Sequence, residues 1–503
     1  MKLFQKKILK NSIFMYSRMV FTIIFGLVST KYIFTFFGQN DYAIYSIALG
    51  LISLFVVPSD SAKDTFIRFF IINEPTKENE SIFNKFFTSS LILTLIIILF
   101  SIILFVFFFL LNLDDFFYSK YNNLNFLFLI SGIILLQFII RILYYPFFAL
   151  ANAKENFKLI AIVGIYEQAM RLISILIAGN FLVDNIVISF LVFMVITYGI
   201  SLLIFFIFFK KYVSNFQFEK KYLYSIIDSF KYKFYGSVGR FIILRGDILV
   251  TGIFFGPSYV SSLAISKRIM QITNNFVGNV QSVFRPKLIR DIYKESSNKS
   301  FGTLLWITKI NYCITFSVGF LLFQNIQFFL DLWLNEYPKE IILYTRFIII
   351  AVIINSISKP LFYCLDSKNL ISIDQKLSFF LSLIVIILSS FFYSLFEFFL
   401  AGVFLQVIRN LLLFSFRLKK LKDDFFENNL FNSYLKFIFK LILILIITLF
   451  FSSQIVNLYD DNNYFSIINL LINLSLVFVV IIYFVLNKSD IESLKNIINN
   501  YFK

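Results

Sequence analysis

Basic side chains set inside apolar runs are the residues of this chain best suited to do chemistry. Arg18, Lys31, Arg141, Arg240, Arg245, Lys267, Arg268 and Lys309 each sit in an otherwise apolar stretch, with no evident acid on the same helix to neutralise them. A cation at the centre of a bilayer costs about 2.5–3.5 kcal/mol even on the mildest insertion scale. The acids in these runs are few: Asp60, Asp64, Glu167 and Asp247. A surplus of buried cations is best stabilised by water and a bound anion. A pyrophosphate suits, because each guanidinium offers it a two-pronged donor. For any single cation, hydrogen bonding to carbonyls of a neighbouring helix is an equally good account; for the whole set it is a weak one.

The acids allow local pairing. Asp60, Asp64 and Arg68 step by four along one helical face, and Glu167 precedes Arg171 by four, the favourable order for an ion pair. Asp247, in RGDILVTGIFFG, has no such partner. It either binds a coupling proton or Na⁺, or pairs with a cation on the next helix. Lys359, Arg409 and Arg346 lie near the ends of their runs and can reach the headgroups. The chain contains no histidine, which removes imidazole acid–base chemistry and histidine-based metal sites. Its two cysteines, Cys313 and Cys364, are far apart and define neither a disulfide framework nor a metal cluster. No metal or organic cofactor is expected; the candidate coupling ions are H⁺ and Na⁺.

These side chains have to be positioned by membrane-crossing helices. The 503 residues are 59% hydrophobic and only 15% charged, against about a quarter charged in soluble domains. About fourteen apolar runs reach the roughly 20 residues that a bilayer crossing needs. Of the 46 Lys and Arg, most lie in alternate loops such as FRPKLIRDIYKESSNK and RLKKLKDD; the intervening loops hold only Lys120 and Lys339. Positive loops stay cytoplasmic, so both termini are expected on the cytoplasmic side of the membrane. The formal charge of +17 is explained by orientation and anionic lipid, not by nucleic acid. No cleavable signal peptide is evident.

An internal repeat organises the runs. FFGQNDYAIYSIAL at 36–49 matches FFGPSYVSSLAISK at 254–267, Arg68 falls opposite Arg285, and PFFALANAKENFK at 146–158 matches PLFYCLDSKNLIS at 360–372. The expected architecture is therefore an all-α polytopic membrane protein. Residues 1–215 and 216–425 would form two pseudo-symmetric six-helix bundles, and 426–503 two appended helices and a cytoplasmic tail. Parallel halves of this kind characterise alternating-access transporters with a site between the lobes. Gly50, Pro58, Pro146 and Pro360 are positions expected to kink or end their helices.

Four segments carry a resemblance to a known family: LVSTKYIFTFFGQNDYAIYS, PFFALANAKENFKLIAIVGIYEQAMRLI, RGDILVTGIFFGPSYVSSLAISKRI and FRPKLIRD. In order and spacing the chain, over roughly residues 10–420, resembles the MOP superfamily of exporters and, within it, the Wzx-type polysaccharide flippases. The resemblance implies two bundles around a V-shaped cavity, and transfer of undecaprenyl-pyrophosphate-linked oligosaccharide from the inner to the outer leaflet of the bacterial inner membrane for O-antigen or related polysaccharide biosynthesis. It also implies cavity Arg and Lys residues holding the anionic headgroup, and coupling to an ion gradient or membrane potential. Asp247, Asp64 and Glu167 are then the coupling candidates. Polymerase and chain-length components are the implied protein partners, alongside membrane lipids.

Two rivals are weighed against this reading. A drug exporter of the same superfamily would favour an acidic cavity for cationic compounds, against the excess of bases. A polytopic polymerase or glycosyltransferase would display a sizeable external loop with catalytic residues, and none is present. A non-enzymatic transporter of an anionic lipid-linked glycan is the expectation.

Overall fold

The structure, a computed structural model, describes residues 2–73, 80–111, 124–154, 156–181, 185–212, 216–294, 297–334, 336–367, 370–424, 428–456, 463–481 and 485. The loop NLDDFFYSK, most of YDDNN and the side chain of Arg285 lie outside this set. Among the described residues the regular structure is entirely helical. With 16 Gly and 7 Pro in 503 residues, little in the sequence interrupts a helix, and in lipid a helix satisfies its own backbone polar groups.

Contacts divide the chain into two units, Met1–Ala264 with Ser382–Phe399, and Ile265–Leu381 with Leu400–Lys503. The first contains α1 (Lys2–Phe55), α2 (Val57–Ile72), α3 (Glu80–Leu110), α4 (Leu124–Leu143), α5 (Tyr145–Ala153), α6 (Phe157–Phe181), α7 (Ile186–Phe209), α8 (Lys220–Phe241) and α9 (Asp247–Phe254), with the start of α10 (Pro257–Lys294). A single π turn, Ile242–Gly246, joins α8 to α9. The second unit contains the rest of α10, α11 (Ser297–Gln324), α12 (Ile326–Leu334), α13 (Glu340–Ser367), the start of α14 (Ile371–Phe396), α15 (Ala401–Asp424), α16 (Asn428–Val456) and α17 (Asn463–Val480).

Helix breaks follow the residues that cause them. Gly38 interrupts α1 with φ 70° and ψ 175°, a backbone that a Cβ disfavours. Pro58 and Pro146 sit in the first turns of α2 and α5, where the missing N–H costs nothing. Pro360 remains inside a continuous α13. Gly50, expected to kink its helix, does not: it lies in regular helix and admits a neighbour closely, since a Cβ there would meet Leu249 Cδ2 at 2.8 Å. Both copies of the FFG repeat coincide with a break, at Gly38 and between α9 and α10. The second repeat pair brackets the α5–α6 and α13–α14 junctions.

Nine helices among the described residues are long and apolar enough to cross a membrane. Their outer faces carry exposed Leu99, Ile103, Phe107, Leu203 and Ile207, a display that water would penalise and lipid does not. This is a multi-pass membrane protein. The apolar runs expected to cross at 233–255 and 259–284 are among those outside the nine: the first is interrupted by the π turn and carries Arg240, Arg245 and Asp247, the second carries Lys267 and Arg268.

Inside the second unit, Tyr312, Phe316 and Phe320 stack along α11 against α13, α16 and α17. Tyr312 donates to the Leu441 carbonyl at 2.9 Å. A buried Arg417 grips both carboxylate oxygens of Asp374 at 2.7 and 2.9 Å and donates to Ser358 Oγ at 2.8 Å, tying α13, α14 and α15 together.

Candidate functional site: a cation-rich cavity in the first unit

The site is assembled by two helix breaks and one close packing. α1 lies along α6, and the packing is intimate because α6 offers glycine: a Cβ on Gly164 would stand 2.6 Å from Arg18 Nε. Gly179 likewise receives the ring of Phe36. The absence of a side chain at Gly164 lets Arg18 cross over α6. On α4, Arg141 comes in the last turn, and the chain then breaks at Tyr144 ahead of Pro146. That break leaves Tyr144 and Tyr145 packed edge to face, their ring centroids 5.8 Å apart. The Pro58 break starts α2 afresh and delivers Lys63.

Arg18, Arg141, Lys63, Tyr144, Tyr145 and Glu167 line one cavity of about 130 Å³, closed by Phe148, Ile160, Val163 and Phe205. Tyr144 donates its hydroxyl to Glu167 Oε1 at 3.2 Å. Glu167 is within electrostatic reach of both Arg18 and Arg141. The Arg141 guanidinium lies 5.1 Å from the Tyr198 ring centre and 5.8 Å from that of Phe138, and its Nε is buried with no hydrogen-bond partner. Lys63 Nζ stands 5.1 Å from the Tyr145 ring and 3.2 Å from Asp60 Oδ1. Three cations thus face one lining carboxylate, and a buried guanidinium with an unused donor costs free energy until an acceptor arrives. Chemically, such an arrangement can hold an oxyanion.

Of the sequence-derived residues, Arg18, Arg141 and Glu167 come together here. Arg245, in the π turn, lies elsewhere in the same unit, within reach of Tyr42, Tyr45 and Arg171. Arg240 is exposed and donates to Ser237 Oγ at 2.9 Å, which in turn meets Ser61 Oγ at 2.8 Å. Lys31 is part-exposed on α1. Asp64 is exposed, and its backbone carbonyl accepts from Lys233 at 2.7 Å. The Asp60–Asp64–Arg68 face is exposed at all three positions, and Asp60 pairs with Lys63. Asp247 is buried, 5% exposed, and accepts from the Tyr393 hydroxyl at 3.3 Å, with Thr251 Oγ1 3.4 Å from that hydroxyl.

The other three belong to the second unit. Lys267 is 1% exposed and donates to Gln406 Oε1 at 2.8 Å. Arg268 donates to Gln271 Oε1 at 3.4 Å, and Lys309 Nζ lies 5.8 Å from the Phe437 ring.

Sequence reasoning missed Lys63, Tyr144 and Tyr145. The signal was present: the tyrosines follow Arg141 by three and four residues in RILYYP, one helical turn away. Lys63 was obscured by its acidic neighbours Asp60 and Asp64.

No protein-family model and no curated protein sequence matches the chain. Solved structures do. A structure described as the lipid II flippase MurJ in an inward closed conformation is similar at TM-score 0.64 and 18% identity, over 94% of this chain and 99% of that one. An inward-facing multidrug resistance MATE family transporter of the MOP superfamily is similar at TM-score 0.63 and 13% identity, over 81% and 96%. A MOP superfamily transporter from Pyrococcus furiosus, whose description notes a reversed polarity of its binding pocket, is similar at TM-score 0.56 and 14% identity, over 82% and 94%. The chain therefore has the fold of MOP superfamily transporters, and the proteins it is compared with are transporters and flippases, not enzymes.

Proposed function

We propose that this protein is a flippase. It carries an undecaprenyl-pyrophosphate-linked oligosaccharide across the bacterial inner membrane by alternating access, for surface polysaccharide biosynthesis. The observation that carries the reading is the cavity lined by Arg18, Arg141 and Lys63, in which Glu167 is the one lining carboxylate and Lys63 is partly neutralised by Asp60 beside it. A diphosphate supplies the acceptors these donors lack, and paired guanidiniums match its oxygens. A cationic drug would instead meet three like charges. The likeness to a protein described as a lipid II flippase agrees with this cargo class.

In this scheme Arg18 and Arg141 hold the diphosphate, Tyr144 keeps Glu167 turned aside, and the glycan extends away from the cations. Lys31, Arg240, Arg245, Lys267, Arg268 and Lys309 are the further cationic residues of the path. Asp247, with Tyr393 and Thr251 beside it, takes the coupling H⁺ or Na⁺; Asp64 and Glu167 are secondary positions for it. Both termini are assigned to the cytoplasm, and polymerase and chain-length components to the partners.

The test is genetic. In cells whose surface glycan depends on this protein, the Arg18→Ala/Arg141→Ala double variant should insert normally yet lower surface glycan by tenfold or more, the effect of losing about 1.5–3 kcal/mol per charge-assisted contact. Inward-facing lipid-linked intermediates should accumulate. Normal glycan in that variant would remove the cavity from the transport path.

A further inference from the structure

The α8–α9 run is longer than the bilayer it enters. From Lys220 to Phe254 it is helical throughout, with one π turn inside it, and at 1.5 Å per residue it extends about 50 Å. The hydrocarbon core takes up roughly 30 Å, about twenty residues. The run stops at Phe255, whose backbone is extended, ahead of α10. A break between two membrane helices belongs at the membrane border, since lipid cannot satisfy its backbone groups. Counting back about twenty residues from that stop reaches Tyr235. Lys220–Phe234 therefore project beyond the hydrocarbon.

One side of this projecting helix is occupied. Tyr222 meets Phe86 of α3 edge to face with ring centroids 4.7 Å apart, and Ile226 is fully buried. Lys233 donates to the Asp64 carbonyl of α2 at 2.7 Å, and Ser237 Oγ accepts from Ser61 Oγ at 2.8 Å. The opposite side carries Lys220, Lys221, Tyr224, Ile227, Lys231 and Tyr235, all exposed. At about 100° per residue these six fall within an arc of about 120°. Tyr224, at its centre, is 67% exposed, and Phe216, in the approach to the helix, 61%. The charge of the arc has one sign. Asp228 is the one acid of α8 and pairs with Lys231, while Glu219, ahead of the helix, pairs with Lys85 on α3. Water disfavours so many bare rings, and hydrocarbon excludes the lysines. The headgroup zone suits both, taking tyrosine rings with their polar tips and lysine stems with their charged ends.

We propose that this Lys–Tyr stripe of α8 is a docking surface for acidic phospholipid headgroups, which anchor the projecting part of the helix at the bilayer border. The stripe lies on a helix that contributes nothing to the lining of the Arg18–Arg141 cavity, so the inference does not depend on what the protein transports. Attraction to an acidic headgroup accumulates over the lysines and weakens with salt. The rings add an anchoring term that does not depend on headgroup charge.

Photo-crosslinking of the full-length chain tests the proposal. The photoreactive residue benzoylphenylalanine replaces Tyr224 in nanodiscs of equal phosphatidylglycerol and phosphatidylcholine, and lipid adducts are read by mass spectrometry. Phosphatidylglycerol adducts should exceed phosphatidylcholine adducts roughly tenfold, the effect of about two net positive charges beside the headgroups. NaCl at about 1 M should largely erase the excess. Lys220→Gln/Lys221→Gln/Lys231→Gln should bring the two lipids within about twofold of each other. The same probe in place of Ile103, on the lipid-facing side of α3, should give adducts of both lipids without such a preference in either background, and so reports that the variant is folded. Equal adducts of the two lipids at position 224 would overturn the proposal. So would cross-links to protein alone, which would assign the stripe to a partner chain, or lipid adducts at position 103 with none at 224, which would place the stripe in water. None of these outcomes bears on the cavity.

Discussion

Asp247 is the residue whose chemistry is most open to direct test. A buried carboxylate is expensive to keep ionised unless donors or a cation hold it. Here the Tyr393 hydroxyl donates to it, with Thr251 adjacent, while α9 begins at the aspartate itself. A carboxylate held by one tyrosine hydroxyl, itself held by Thr251, can take up a proton or a small cation. Replacing Asp247 with Asn keeps the shape and removes the ionisable group. Transport measured against pH and against Na⁺ should then lose its dependence on whichever ion is coupled. Tyr393→Phe should shift that dependence without removing it. An unchanged dependence in Asp247→Asn would take this aspartate out of the coupling scheme. Lys267 calls for a different view: it is nearly inaccessible and bonded to Gln406. Truncating it would leave the buried Gln406 amide oxygen short of a donor, so a defect there would report stability as well as transport.

At the scale of elements, glycine and proline decide what the apolar sequence leaves undetermined. An uninterrupted run of Phe, Ile and Leu specifies a helix but not where it stops or how near a neighbour may come. Gly38, Pro58 and Pro146 supply the stops, and Gly164 and Gly50 supply the approaches. Gly164 offers a clean separation of fold from function. A methyl there conflicts with the Arg18 side chain, which is flexible, and not with backbone. Gly164→Ala should therefore change stability by less than about 1 kcal/mol, with the helix itself favouring alanine, yet displace Arg18 and weaken anion binding as far as Arg18→Ala does. Thermal unfolding together with pyrophosphate binding would check it. Wild-type binding in Gly164→Ala would mean that Arg18 does not need its present path. These stops were partly legible: the FFG repeat and the two prolines mark real breaks. Gly50 was misread as a kink because sequence does not reveal whether a helical glycine bends the helix or admits a neighbour. The Glu167–Arg171 spacing was misread for a related reason. Spacing places two residues on one face but does not reveal Tyr144, brought in from another helix by Pro146, as the stronger claimant.

For the whole molecule, the sequence made the membrane character and the helical class plain, since both depend on composition and run length. The number of crossings was harder, because helices that carry charge or a π turn look least like crossings. The cation surplus was legible as a total. The gathering of Arg18 and Arg141 around one cavity, apart from Arg240, Lys267 and Lys309, was not, because that depends on contacts between helices distant in sequence. We propose that these cations serve to move a diphosphate-bearing lipid. Purified protein in vesicles, given a fluorescent undecaprenyl-pyrophosphate saccharide and a neutral glycolipid with the same sugars and chain, tests it most directly. The pyrophosphate lipid should cross between leaflets many times faster than the neutral one, with the difference lost in Arg18→Ala/Arg141→Ala. Equal rates for the two lipids in the wild-type protein would contradict the account.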